Sequence, residues 1–344
     1  MTASILFPTI AFLSLLGPLQ AGSQTNPGTP DFGFLLSWFE VTREDRAKLA
    51  QRGVVVRGLP ASNKQISVIA ACAVAISPDA FVARIRAAGD VKRPESPAGR
   101  FDDPPVIANL AGLSLDEGDL DRLRRCRRGD CRLNLADHEI GVVQQALASS
   151  AAGDATKAHA SFRAVVLDRV RRYQSQGLGG LPEYHDRREP VRPAAIFADI
   201  IQQTPYLKTH VPGIAAYLEK FPFGETDGAE SALLWSKVTM NDKAVVMVTH
   251  RSIFRPMPGP QVPTVLITSK QVYASRYMNG ELALTMLFAG AAGSPSYLVH
   301  VNRSELDELE GALSGLKRAV IERRIKEEAA ARLAVMRDGL ERRH

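Results

Sequence analysis

The sequence predicts an α+β fold in which an antiparallel sheet grips a long C-terminal helix, with a helical region inserted between the strands. Three observations carry this expectation. Four strand-like runs follow one another from Ala244 to Val301, namely AVVMVTHRSIF, TVLITSKQVYASRYM, LALTMLF and SYLVHVN, each closed by a turn signal such as Asn279-Gly280. A basic stretch of helical spacing, LSGLKRAVIERRIKEEAAARLAVMRDG, then runs towards His344. Two further runs, VVVRGLP and QISVIAACAVAI, stand far upstream, and because an isolated strand pair is marginal they are expected to join the same sheet.

In chain order, residues 1–21 are apolar over most of their length and carry no charged side chain. Gly17 and Pro18 break the run before Leu19-Gln20-Ala21, a small-residue end that suits signal peptidase. The expectation is an export signal cut near Ala21 and a periplasmic or secreted protein; an uncleaved anchor is the competing reading. A Ser, Thr, Pro and Gly linker over 22–31 follows. Thr42 with Asp45 three residues on has the form of a capping box for a short helix ending at Gly53. Ser77-Pro78-Asp79 opens a helix with serine at the cap and proline in the first turn, and Gly89 ends it.

From 103 to 223 the pattern turns helical. Leu115 to Arg125 and Asp137 to Ala148 are amphipathic, and a longer helix after Asp154 carries Phe162, Val165, Val166, Val170 and Tyr173 on one stripe before Gly177. Ala194 to Gln203 and Ile214 to Phe221 complete the region. Cys126 and Cys131 enclose four residues including Gly129, which permits the tight turn of a short disulfide loop, and an oxidising compartment favours the bond. Cys72 reads as a buried thiol. After the last strand, Ser304 with Asp307 marks the expected start of the terminal helix.

Formal charge is +6 and the basic residues concentrate between Arg122 and Arg132 and in the last 28 residues. An anionic membrane surface is a partner such charge would favour; the groove-reading and aromatic motifs of nucleic-acid binders are missing. So are a nucleophile elbow, a phosphate-cradling glycine loop and HExxH, and no cofactor or metal is implied. Glu183, His185 and Asp186, in PEYHDRRE, read as surface charge.

The runs AACAVAISPDAFVARIRAAGD and TVLITSKQVYASRYM to SYLVHVNRSELDELEGALSGLKRAVIERRI resemble the opening strand and proline-capped helix, and the closing strands and helix, of the START-like (SRPBCC, helix-grip) superfamily. The resemblance implies a split ligand-binding domain over 32–102 and 224–344, interrupted by the helical insertion at 103–223. It implies a cavity between sheet and C-terminal helix for a hydrophobic or amphipathic small molecule, including lipids; other members of the superfamily are enzymes.

Alternation along the strands nominates the lining. On the run from Thr264 to Met278, Lys270 and Arg276 share a face, and since long cations prefer water, Tyr273 and Tyr277 on the other face are expected to point inward. By the same rule Arg251 turns His250 and Ser252 inward, and Arg303 turns His300 and Asn302 inward, with Trp235 at the mouth. The expected site is therefore His250, Tyr273, Tyr277, His300, Asn302 and Trp235. Two rivals stand beside binding: a cyclase- or hydrolase-type enzyme with His250 or His300 as base, and a non-catalytic envelope interaction protein.

Overall fold

The computed structural model describes residues 41–62, 64–88, 97–131, 133–151, 154–224, 228–259, 261–290, 294–309 and 314–342; the expected signal (1–21), the linker (22–31) and residues 32–40 lie outside them. The fold is α+β, with an eight-stranded antiparallel sheet and a long C-terminal helix. Helix α1 (Arg43–Ala50) starts at the expected capping box, Thr42 and Asp45 each bonding the other's backbone N–H. Strands β1 (Val55–Leu59) and β2 (Gln65–Val74) follow, then helix α2 (Pro78–Ala88) and the unforeseen short strand β3 (Ala98–Arg100). Six helices come next: α3 (Glu117–Arg125), α4 (Asp137–Ala148), α5 (Thr156–Gln176), α6 (Pro193–Gln202), α7 (Pro205–His210) and α8 (Pro212–Lys220). Strands β4 (Glu230–Met240), β5 (Lys243–Phe254), β6 (Val265–Ala274), β7 (Met278–Phe288) and β8 (Ser296–Leu306) lead to α9 (Ser314–Glu341).

The strand order is β1-β2-β8-β7-β6-β5-β4-β3, so the upstream pair enters the same sheet by laying β2 against β8. Alternate side chains of each strand point to opposite faces, and both faces are roofed. One, the insertion face, packs Leu266, Leu284, Trp235 and Val248 against Tyr206, Ile214, Phe162 and other side chains of α5 to α8. The helices between β3 and β4 thus share their core with the sheet. The other, the grip face, is covered by α2 and α9. Along α9, Ile321 and Ile325 join one apolar cluster, Leu333, Met336 and Leu340 join another, and Ala329 touches both, a stripe at helical spacing. The exposed side of α9 carries the Arg323–Glu327 pair, and a Glu322–Lys326 pair, also one turn apart, lies beside Gly58 of β1.

A sheet roofed on both faces overturns the premise that its cations face water. Lys270, Arg276, Arg251 and Arg303 are all buried. Arg276 pairs with Asp119 of α3, Arg251 donates to the Ile85 carbonyl at 3.2 Å, and Arg303 donates to the Pro60 carbonyl at 2.9 Å. The terminal helix also begins later than Ser304 predicts. Strand pairing persists to Leu306, and the Ser304 hydroxyl donates to the Asn302 side-chain oxygen at 2.7 Å instead of capping a helix.

Candidate functional site

The grip face has a polar middle between two apolar ends. Register places His300 opposite Thr285, Asn302 opposite Ala283, Ser304 opposite Glu281, Ser269 opposite Arg251 and Thr249 opposite Gln271 on this face. Towards one end lie Ile253, Ile267, Leu298 and Leu333; towards the other lie Met247, Met278, Leu306 and Ile325. Helix α9 spans the gap with Glu328 and Arg332, whose charged groups are 3.8 Å apart. His300 Nδ1 is 2.9 Å from the Thr285 hydroxyl, and the Asn302 amide donates to the Glu281 carboxylate. His300 keeps part of its surface open, yet burial and then the Arg332 charge hold its imidazole down to about 4. Thr249, Leu234 and Ser236 on β4 and β5 are half-buried towards the β4 edge of the sheet. Gln271 is buried with its side-chain oxygen unpartnered among the described residues, an acceptor facing the same strip.

The insertion face carries a second polar cluster, and it is sealed. His250 opposes Lys270 across β5 and β6. The His250 ring has Nδ1 2.8 Å from the Tyr173 hydroxyl and Nε2 3.3 Å from the Ser252 hydroxyl, with the Phe221 ring tilted against it at 4.3 Å between centroids. Lys270 donates to the Leu218 carbonyl at the end of α8 at 3.0 Å and lies over the rings of Phe197 and Tyr173. Burial lowers the Lys270 ammonium to about 7, and burial with the Lys270 charge lowers His250 to about 3.

The six residues nominated from sequence therefore do not share one surface. His300 and Asn302 lie on the grip face; His250, Tyr273 and Trp235 lie on the insertion face. His250 parts from His300 because register aligns it with Lys270, Leu282 and Arg303, and Arg303 stands an odd number of residues from His300 and Asn302. For Tyr273 the cause is a β-bulge. Val248 pairs Tyr273 and Thr249 pairs Gln271, so Val272 is an extra residue, and it returns Tyr273 to the face of Lys270 against simple alternation. There Tyr273 is packed solid, its ring 4.2 Å beneath the Arg169 guanidinium and its hydroxyl donating to the Leu133 carbonyl at 3.3 Å. Arg169 forms a buried ion pair with Glu139. Burial works to raise the Glu139 carboxyl, but the Arg169 charge outweighs it and holds the group below the usual carboxylate range. Tyr277, at φ 66°, is a half-buried turn residue at the β6–β7 connection, and the Trp235 indole N–H donates to the Asn109 carbonyl at 2.8 Å.

Cys126 and Cys131 form the expected disulfide, docked against Glu183–Val191 by the bond from the Cys131 N–H to the Asp186 carbonyl at 2.8 Å. Asp186 is not surface charge. It is fully buried and accepts from the Asn134 N–H at 2.9 Å. Among the described residues no group of His, Cys, Asp and Glu is placed to hold a metal ion, and no helix is long and apolar enough to cross a membrane. Lys270, Thr285 and Arg332 were missed from sequence; the signal for Lys270 was its position inside the otherwise apolar run VLITSKQVY. The chain matches no family model, none of the curated proteins and none of the solved structures with which it was compared.

Proposed function

We propose that this is an exported binding protein that holds a hydrophobic or amphipathic small molecule, a lipid being the leading class, against the grip face beneath α9. The reading rests on one observation above all: a partly exposed His300 in a polar strip between two apolar ends. A ligand with polar groups along an apolar body would meet His300, Asn302 and Gln271 in the middle and aliphatic side chains at either end. Export is supported by the disulfide and by the apolar N-terminal run. The START-like resemblance agrees with the position of α9 across the sheet.

Both histidines titrate far below neutrality, which suits hydrogen bonding better than proton transfer at pH 7, so binding is favoured over a histidine-base enzyme. Arg124, Arg125, Arg127 and Arg128 around the disulfide are exposed and support an anionic membrane surface as a second partner. Titration with a fluorescent long-chain fatty acid, alongside native mass spectrometry of lipid-extracted protein, tests the proposal. Saturable binding weakened about tenfold by His300→Ala, the loss of roughly one hydrogen bond, is expected. Absence of saturable binding across neutral and anionic lipids would overturn it.

A further inference from the structure

The cluster on the insertion face contains a group that packing alone does not account for. Lys270 is fully buried, and among the described residues it has one hydrogen bond, to the Leu218 carbonyl, and no paired carboxylate. A buried ammonium without a counter-ion is costly, and methionine would fill the same volume without that cost. Around its amine the fold gathers the Phe197 ring at 4.4 Å, the Tyr173 ring at 4.9 Å and, as cross-strand partner, His250 held by Tyr173 and Ser252. Thr268, two residues along β6 on the same face, has a buried hydroxyl with no partner among the described residues.

We propose that Lys270 is a carbonyl-reactive amine, and that this cluster takes up a small neutral aldehyde or ketone that Lys270 holds as an imine. The Nζ lone pair attacks the carbonyl carbon; the amine gives up two protons and the carbonyl oxygen leaves with them as water, so the C=N bond forms with no oxidant or reductant. His250, the cross-strand partner of Lys270 and anchored through Nδ1, is a hydrogen-bonding neighbour for the adduct, and the Thr268 hydroxyl is a donor for the departing oxygen. The apolar walls and the absence of a fixed counter-charge select a neutral molecule. Burial also lowers the Lys270 ammonium to about 7, which favours the free amine, the form that attacks. Of the rings packed on His250, namely Tyr173, Tyr217 and Phe221, Phe221 alone is half-exposed, so it is the side chain a small molecule displaces on entry.

The test is reductive trapping of the full chain with acetaldehyde and cyanoborohydride at pH 7, followed by peptide mapping. The N-ethyl label is expected on Lys270 at least about tenfold faster than on exposed Lys208 and Lys243. Phe221→Ala is expected to accelerate it, and Lys270→Met to remove that label while leaving the rest. A Lys270 rate no higher than that of the exposed lysines in folded wild-type protein overturns the proposal. Label confined to Phe221→Ala overturns it equally, since the native cluster is then closed core. If Phe221→Ala fails to fold, the wild-type rate ratio decides alone.

Discussion

Replacing Lys270 with methionine separates a buried amine from every other contributor to the pH dependence of stability. Lys270 falls from an ordinary 10.5 to about 7 because it is desolvated. Between those values the unfolded chain holds a proton that the folded chain has released, so stability rises with pH across that window and the full penalty is present below it. At about 1.4 kcal/mol per pH unit the complete swing is on the order of 4–5 kcal/mol. Tyr173, Tyr206 and Tyr273 are all raised by burial and weaken the fold above about pH 10, so the useful range ends near 9.5. Over pH 7 to 9.5 the wild type is expected to gain about 3 kcal/mol relative to Lys270→Met, measured as the difference between urea unfolding free energies at each pH. At pH 7 the variant should be at least as stable as the wild type, because the Leu218 carbonyl it leaves unpaired costs only about 1–3 kcal/mol. Parallel pH curves for the two proteins would refute the reasoning and mean that Lys270 is hydrated or carries a counter-ion.

Three further outcomes follow from the same interior. His250 and His300, lowered to about 3 and about 4, remain neutral in the folded chain while the unfolded chain takes up protons below about 6.5; stability should therefore fall with acid by about 1.4 kcal/mol per pH unit for each, and His250→Asn should flatten its share of that slope in denaturant titrations at pH 4.5 and 7. Glu139→Gln leaves the Arg169 guanidinium buried without its carboxylate and should cost about 3–5 kcal/mol by urea unfolding, while Arg169→Met with Glu139→Leu should recover most of it. Gly177 sits at φ 61° with the Phe221 carbonyl 1.9 Å from where a Cβ would stand, so Gly177→Ala should destabilise by more than about 2 kcal/mol and lower the melting temperature by several degrees.

Much of the architecture was legible because local signals agreed with the fold. The Thr42–Asp45 capping box, the Pro78 helix start, Gly177 as a helix stop and the turn signals between the late strands are set by chain chemistry within a few residues. The short cysteine loop was legible for the same reason. What failed depended on distant partners. Arg276 meets Asp119, Arg303 reaches Pro60 and Asp186 holds Asn134, and no local pattern announces such partners. The rule that long cations face water holds for a sheet with one wet face, and here the helices between β3 and β4 remove that face.

The bulge at Val272 matters more to function than its size suggests. Unbroken alternation would carry Tyr273 to the grip face, and the buried Arg169–Glu139 pair would lose the ring beneath it. With the extra residue, Tyr273 and Lys270 both face the insertion helices. The histidine pair expected in one pocket divides between two environments for a separate reason, since His250 aligns with Arg303 and not with His300. On the grip face His300 has Thr285, Asn302 has Glu281 and Arg332 has Glu328, and Gln271 keeps one side-chain oxygen unpartnered among the described residues. That arrangement suits reversible recognition, since a departing ligand leaves few groups stranded. On the insertion face Lys270 has only a carbonyl and two rings, so its free energy is high until something bonds the amine. Two polar interiors of different character, one largely hydrogen-bonded and partly open at His300 and the other built around a singly bonded buried amine, thus lie back to back across a single layer of β-sheet.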